Sequence, residues 1–320
     1  MKLNRILAVS AGVMLMSSAA MAQTVGIGTT KGGFTNQMGQ ALSKVVSQKT
    51  DLQMRSQPFG GSSVYVPAMD AGQLEFCLVN ELEAYYAVSG TGIYDKKHPN
   101  IRVVSTTIPF RNGIYVRADS DIKTMGDLKG KRVPGGWASQ RIIQPLMEGN
   151  LANAGLDYAK DVTQVPAPNV VKGADDFAAG KTDAFLFVFG AGKVRETAAK
   201  VGGLRVLPFS IEPGPLAAAR AAVPPAFGFP VSPSKANIGV DKDMHVMAYY
   251  HTLAAGADVS EDTVYKVVKA LHDNTADLSK AVPAMRLFKP ENMAINFKGL
   301  EYHPGAIKFY KEKGMWPPKS

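Results

Sequence analysis

The chain has 320 residues, with 36 Lys and Arg against 27 Asp and Glu, a formal charge of +9, 46% hydrophobic residues and one cysteine. This is a globular composition held by core burial: Gly and Pro are too few for a fibre, and one cysteine makes neither an internal disulfide nor a thiolate metal site. The positive balance lacks Arg-rich runs interleaved with aromatics, so no nucleic-acid partner is expected, and it fits capture of small anions.

Residues 1–22 read as a secretory signal. Lys2 and Arg5 form a basic start, an uncharged stretch runs from Ile6 to Met16, and Ala20-Met21-Ala22 precedes an expected cut before Gln23. The apolar stretch meets Ser17 and Ser18 too soon for the roughly 20 residues that span a membrane.

Strand and helix patterns then alternate. Val25–Gly28 reads as a strand, and Met38, Ala41, Leu42, Val45 and Val46 recur at helical spacing. Leu52–Ser56 and Glu75–Asn80 are short strands, a helix covers Leu82–Val88, and strands follow at Ile101–Thr106 and Gly113–Arg117. A second series has strands at Lys131–Pro134, Val162–Val165 and Ala184–Phe189, with helices from Ser139 towards Asn153 and over Val170–Ala179. Six prolines between Glu212 and Pro233 predict a connecting segment without regular structure. His245–Leu253 reads as a strand, Ser260 opens a helix burying Val264, Val267, Val268 and Leu271, and Pro304 and Gly314 punctuate the last helix. The alternation predicts a parallel α/β architecture in two lobes.

Four glycine- and hydroxyl-rich loops stand at strand ends, where ligands of open α/β sheets bind. The first holds Thr29, Thr30, Lys31, Gly32 and Phe34, its glycines admitting a close ligand, the following helix start favouring an anion, and Lys31 adding charge. Gly61, Ser62 and Ser63 form the second, with Asn80 on the same rim. Trp137, Ala138, Ser139 and Gln140 belong to the third, and Gly190-Ala191-Gly192 is the fourth. Two loops in each lobe predict a cleft that closes on a small polar ligand. Lys31 and Arg111 are the candidates for pairing an anion, although a surface position suits Arg111 equally. Trp137 fits a stacking wall or interlobe packing, and Phe185, Phe187 and Phe189 fit the core with Phe189 nearest the cleft. The five histidines show no metal spacing, Cys77 reads as a buried inert thiol, no nucleophile elbow occurs, and no cofactor is expected.

Several of these segments resemble one family. Gly28-Thr-Thr-Lys-Gly-Gly-Phe34, Gly61-Ser-Ser with Gly72, Val116-Arg-Ala-Asp-Ser-Asp-Ile122, Asp127-Leu-Lys-Gly-Lys-Arg-Val133 and His303-Pro-Gly-Ala306 are similar to the TAXI solute receptors of tripartite ATP-independent periplasmic (TRAP) transporters. The resemblance covers nearly the whole mature chain. It implies a type II periplasmic binding protein, with two α/β lobes joined by two crossing strands around a central cleft, that delivers a small organic anion to a TRAP-type membrane permease. It also implies ligand contacts at Thr29–Phe34, Gly61–Ser63, Asn80 and Trp137–Gln140. Tyr65 stands where the family usually has Asn, Lys31 and Phe34 occupy a loop that is usually Tyr-rich, and Trp137 replaces a small residue. These departures point away from glutamate and towards a carboxylate with a ring. The expected lobes are 23–115 with 243–320, and 116–242, and a monomer is the simplest form. A receptor for an ABC or tricarboxylate-type transporter, or an exported enzyme on the same scaffold, are the alternatives.

Overall fold

The computed structural model describes residues 23–318, so the signal expected in residues 1–22 lies outside the described residues. In chain order come β1 (Gln23–Thr30), α1 (Gly33–Lys49), β2 (Leu52–Phe59), α2 (Ser62–Asp70), β3 (Phe76–Asn80), α3 (Glu81–Ser89) and the long β4 (Ile101–Arg117). Then follow β5 (Arg132–Gly136), α4 (Ile143–Ala152), β6 (Thr163–Ala167), α5 (Val170–Ala178), β7 (Phe185–Val188), α6 (Gly192–Val201), β8 (Leu204–Val206), α7 (Pro213–Ala222) and β9 (Phe227–Val231). The chain closes with the long β10 (Met244–Gly256), α8 (Glu261–Asp273), α9 (Thr275–Ala281) and α10 (Pro304–Glu312).

The main sheet has the order β2-β1-β3-β10-β4-β7, with β8 also on β4 and β9 also on β10, while β5 and β6 form a separate parallel pair. Only part of the main sheet is parallel. β1 runs parallel to β2 and β3, but β10 is antiparallel to β3, β4 and β9, and β4 is antiparallel to β7 and β8. The two strands expected at Ile101–Thr106 and Gly113–Arg117 are one continuous strand of 17 residues. Its first part lies along β10 beside β3, and its last part along β7 and β8, so β4 and β10 carry the chain from one lobe to the other. Their pairing register shifts between Tyr250 and Thr252, and there Thr107 Oγ1 donates to the His251 carbonyl (2.9 Å). Such an irregularity bends a ladder without ending it.

Burial follows the sequence pattern in α1 and α8. Met38, Ala41, Leu42, Val45 and Val46 of the first, and Val264, Val267, Val268 and Leu271 of the second, are all buried. The proline-rich segment departs from its expectation. α7 forms because Pro213 and Pro215 lie in the first turn, where no helical N–H is required, and an Ala-rich run follows. Pro224 and Pro225 fall after its end, and Pro230 sits in β9, whose one ladder partner is β10.

The His-Pro-Gly-Ala run has a local physical explanation. His303 Nδ1 accepts from the Gly305 amide (3.2 Å), Pro304 occupies the first helical position, and Ala306 is fully buried. Gly305 lies against the Glu261 backbone, where a Cβ would overlap the Glu261 carbonyl. We predict that Gly305→Ala forces α10 away from α8 and lowers unfolding stability by about 1–3 kcal/mol, read from the urea midpoint. An unchanged midpoint would refute this close packing.

Candidate functional site

A cavity of about 260 Å³ opens between the β1–α1 loop and the second lobe. β1 ends at Thr30, and the backbone then turns through Gly32 and Gly33 into α1. Gly33 adopts φ +76°, a region that glycine enters without steric cost, and a Cβ there would sit 3.3 Å from Phe187 across the cleft. Gly32 caps α1 with no side-chain hydrogen bond, so the amides of the first turn face the cavity without a built-in acceptor. The loop itself is braced. Thr30 Oγ1 donates to the Gly32 carbonyl (2.7 Å), the Lys31 amide to the Phe59 carbonyl (2.7 Å) and Asn36 Nδ2 to the Thr30 carbonyl (2.8 Å).

The walls combine aromatic side chains with the aliphatic Ile143, Val170, Val171, Leu186 and Val188. Phe34 meets Phe110 edge-on at 5.6 Å, Phe110 stacks on His251 at 3.9 Å, and Phe187 and Tyr249 are the other aromatic lining residues. Asn112, on the same face of β4 as Phe110, accepts from Tyr249 Oη at 3.4 Å, but its buried Nδ2 has no partner. A buried donor without an acceptor costs about 1–3 kcal/mol, and a ligand oxygen in this cavity would satisfy it. From the second lobe come Gln140, Asn169 and the first turns of α5. Lys172 there is engaged by Asp176, and Asp175 by Lys193, which leaves Lys31 as the lining cation outside any ion pair among the described residues.

Thr30, Lys31, Gly32, Phe34 and Gln140 of the expected site therefore line one cavity. The other expected residues lie elsewhere. Thr29 is fully buried and shares a hydrogen bond with Ser56 Oγ. Asn80 caps α3, accepting from the Glu83 amide (2.8 Å). Trp137 is a buried core residue of the second lobe rather than a stacking wall. Its indole N–H donates to Tyr158 Oη (3.2 Å), and its φ of 36° directs the side chain inward. Phe189 packs against Tyr115, away from this cavity. Arg111 follows Phe110 on β4 and so points to the opposite face, into a different cavity. Asn112 was not among the expected residues; the signal that marks it is a polar residue two positions after Phe110, on the same face of the strand.

Gly61, Ser62, Ser63, Ala138 and Ser139 do not line the cavity, and several of them form a contact between the lobes. The Arg141 amide donates to Ser63 Oγ (3.0 Å), Asn169 Nδ2 to the Gly60 carbonyl (3.2 Å), and a Cβ on Gly61 would overlap the Ser139 carbonyl. Ser62 is buried and Ala138 exposed beside this contact. Under it lies Glu83, which accepts from Tyr94 Oη (3.1 Å), while the Arg141 guanidinium sits over the Tyr94 ring at 5.7 Å. Burial raises the Glu83 carboxyl to about 7, against the opposing pull of Tyr94 and Arg141.

The fold and this cleft define a two-lobed scaffold of the periplasmic binding protein type. The chain belongs to the NMT1-like family, whose model matches residues 27–314. Among solved structures it is similar to a periplasmic transporter (TM-score 0.58, 14% identity, 85% of this chain and 92% of that one). It is also similar to PhnD1 from Prochlorococcus marinus in complex with methylphosphonate (TM-score 0.56, 12% identity, 92% and 99%). At such identities the likeness is one of fold. A curated relative, the ATP phosphoribosyltransferase of Pelotomaculum thermopropionicum, is 31% identical over 113 residues, 35% of this chain, and the match spans only 36% of that relative's length. Among the described residues no helix is long and apolar enough to cross a membrane.

Two outcomes test this geometry. Gly61 has extended backbone that alanine also adopts, so Gly61→Ala should fold normally yet part the rim, and amide exchange at Arg141 should quicken several-fold; unchanged exchange would remove the contact. Glu83 has a folded pKa above its ordinary 4.5, so its contribution is complete below that value and lost as pH rises through about 7. Glu83→Gln should therefore gain stability relative to the parent between pH 5 and 8, and parallel pH profiles of the two unfolding midpoints would contradict this.

Proposed function

We propose that this protein is an exported solute receptor that captures a small organic anion, a carboxylate with an apolar or aromatic body, in the 260 Å³ cavity. One observation carries the reading. The uncapped start of α1, the Lys31 ammonium and the unpartnered Asn112 amide face a cavity whose remaining walls are mainly aromatic and aliphatic. These donors suit a carboxylate, and the Phe34, Phe110, Phe187 and Tyr249 side chains suit a ring or hydrocarbon body.

In this reading the segments 23–115 with 243–320, and 116–242, move as two lobes about β4 and β10, and ligand favours the closed form by contacting both. The closed monomer then docks on its membrane partner in the periplasm. The motif resemblance supports a TRAP-type permease of the TAXI class as that partner, and the family membership and fold are compatible with it. The ABC alternative draws on a structural neighbour described as the binding component of an ABC phosphonate transporter from Pseudomonas aeruginosa (TM-score 0.55, 11% identity). A membrane permease gene beside this one with no ATPase favours the TRAP reading, and an adjacent ATPase gene the ABC one.

The test is a thermal-shift panel of aliphatic, dicarboxylic and aromatic carboxylates. A ligand at 100 times its Kd adds about 2.7 kcal/mol, which moves the midpoint by several degrees. Lys31→Met should keep the unliganded midpoint and weaken the responding carboxylate about tenfold, the lower range for a charge-assisted hydrogen bond. No response across the panel, or equal affinity in the variant, would overturn the reading.

A further inference from the structure

On the opposite face of β4 lies a second cavity, of about 390 Å³, with a different chemistry. Arg111 forms part of its floor and is only 8% exposed. Its guanidinium carbon lies over the rings of Phe189 (5.5 Å) and Phe229 (5.6 Å), and its side chain makes no hydrogen bond or ion pair among the described residues. Stacking uses the faces of the guanidinium and leaves its five N–H donors, which lie in its plane, for another partner. A buried charge is ordinarily paired, because its desolvation is otherwise uncompensated.

The rest of the cavity does not supply that partner. Lys44 of α1, Arg195 of α6 and Arg286 of the turn after α9 line it as well, all three exposed and none in an ion pair among the described residues. None of the lining residues is acidic. Gly190 and Gly192 bring the start of α6 to the same cavity, and its cap, Ala191, offers no side-chain hydrogen bond. Burial pulls the Arg111 pKa down, with Tyr115 opposing the shift and the charge of Arg286 adding to it. Four cations and a helix start thus converge from four separate elements with no counter-charge.

We propose that this cavity is a second anion site, distinct from the carboxylate cavity, that takes a small multiply charged oxyanion such as phosphate or a phosphonate, with Arg111 as the buried ligand at its floor. Four converging cations suit acceptors that point in several directions, as in a tetrahedral oxyanion, better than a single planar carboxylate. The site also spans the lobes, since Lys44 and Arg286 belong to elements flanking the first lobe and Arg195 to α6. Its occupant removes a repulsion that otherwise opposes closure. The proposal stands apart from the function assigned to the first cavity, because Phe110 and Asn112 serve that cavity and Arg111 serves this one.

The experiment is calorimetric titration of the protein with inorganic phosphate at constant ionic strength held by chloride, with sulfate and succinate as parallel probes. Saturable phosphate binding is expected, with Arg111→Met weakening it at least about tenfold and Arg286→Gln several-fold, while Lys31→Met leaves it unchanged. Arg286 is exposed, so its variant reads the site even if Arg111→Met disturbs the fold. Tighter binding of succinate than of phosphate or sulfate would replace the tetrahedral oxyanion by a dicarboxylate and overturn that part. Phosphate binding no tighter than chloride, or equal in wild type and Arg286→Gln, would overturn the site. Loss of phosphate binding in Lys31→Met would show a single site and refute its separateness.

Discussion

Everything in this molecule is organised by the antiparallel pairing of β4 with β10. The two strands run side by side from Ile101 and Gly256 to Asn112 and Met247, so the same ladder is an edge of the first lobe and the root of the second. A strand alternates its side chains between two faces, and β4 applies that rule where the lobes meet. Phe110 and Asn112 face an aromatic cavity, and Arg111 between them faces a cationic one. The register shift near His251 lies at this crossing, where Thr107 Oγ1 takes the His251 carbonyl as acceptor.

The cleft's character follows from this placement. The β1–α1 loop brings an uncapped helix start to one side, and α5 faces it with its own charges already neutralised within the second lobe. The uncapped helix start and the Lys31 charge make this side of the cavity electropositive, and Phe34, Phe110 and Phe187 make its walls apolar. The Gly60–Ser63 loop meets Ser139–Arg141 at the rim through hydrogen bonds and close backbone packing. A ligand that touches both lobes can then decide between open and closed forms.

Much of this was legible in the residues. The glycines and threonines between the first strand and the α1 stripe mark the loop that lines the cavity, although the same residues also suit a plain strand-to-helix connection. Asn80 was misplaced because a strand-end Asn suits a ligand rim and a helix cap alike; Glu83 three residues on marks the cap. Trp137 was misplaced because its inward direction depends on a left-handed backbone conformation that no spacing reveals. Arg111 was grouped with Lys31, but the two line different cavities. Strand parity separates it from Phe110 and Asn112, but which face meets which lobe is a property of the crossing strands. The proline-rich segment became α7 because its prolines fall at a helix start and past its end, positions that a count of prolines ignores.

The most direct test of an anion held at the start of α1 is native mass spectrometry of protein purified without denaturation, comparing the parent with Lys31→Met. The account predicts that the parent carries a small organic acid, released on gentle activation, and that the variant arrives empty or largely so. The same acid at equal occupancy in both proteins would contradict it.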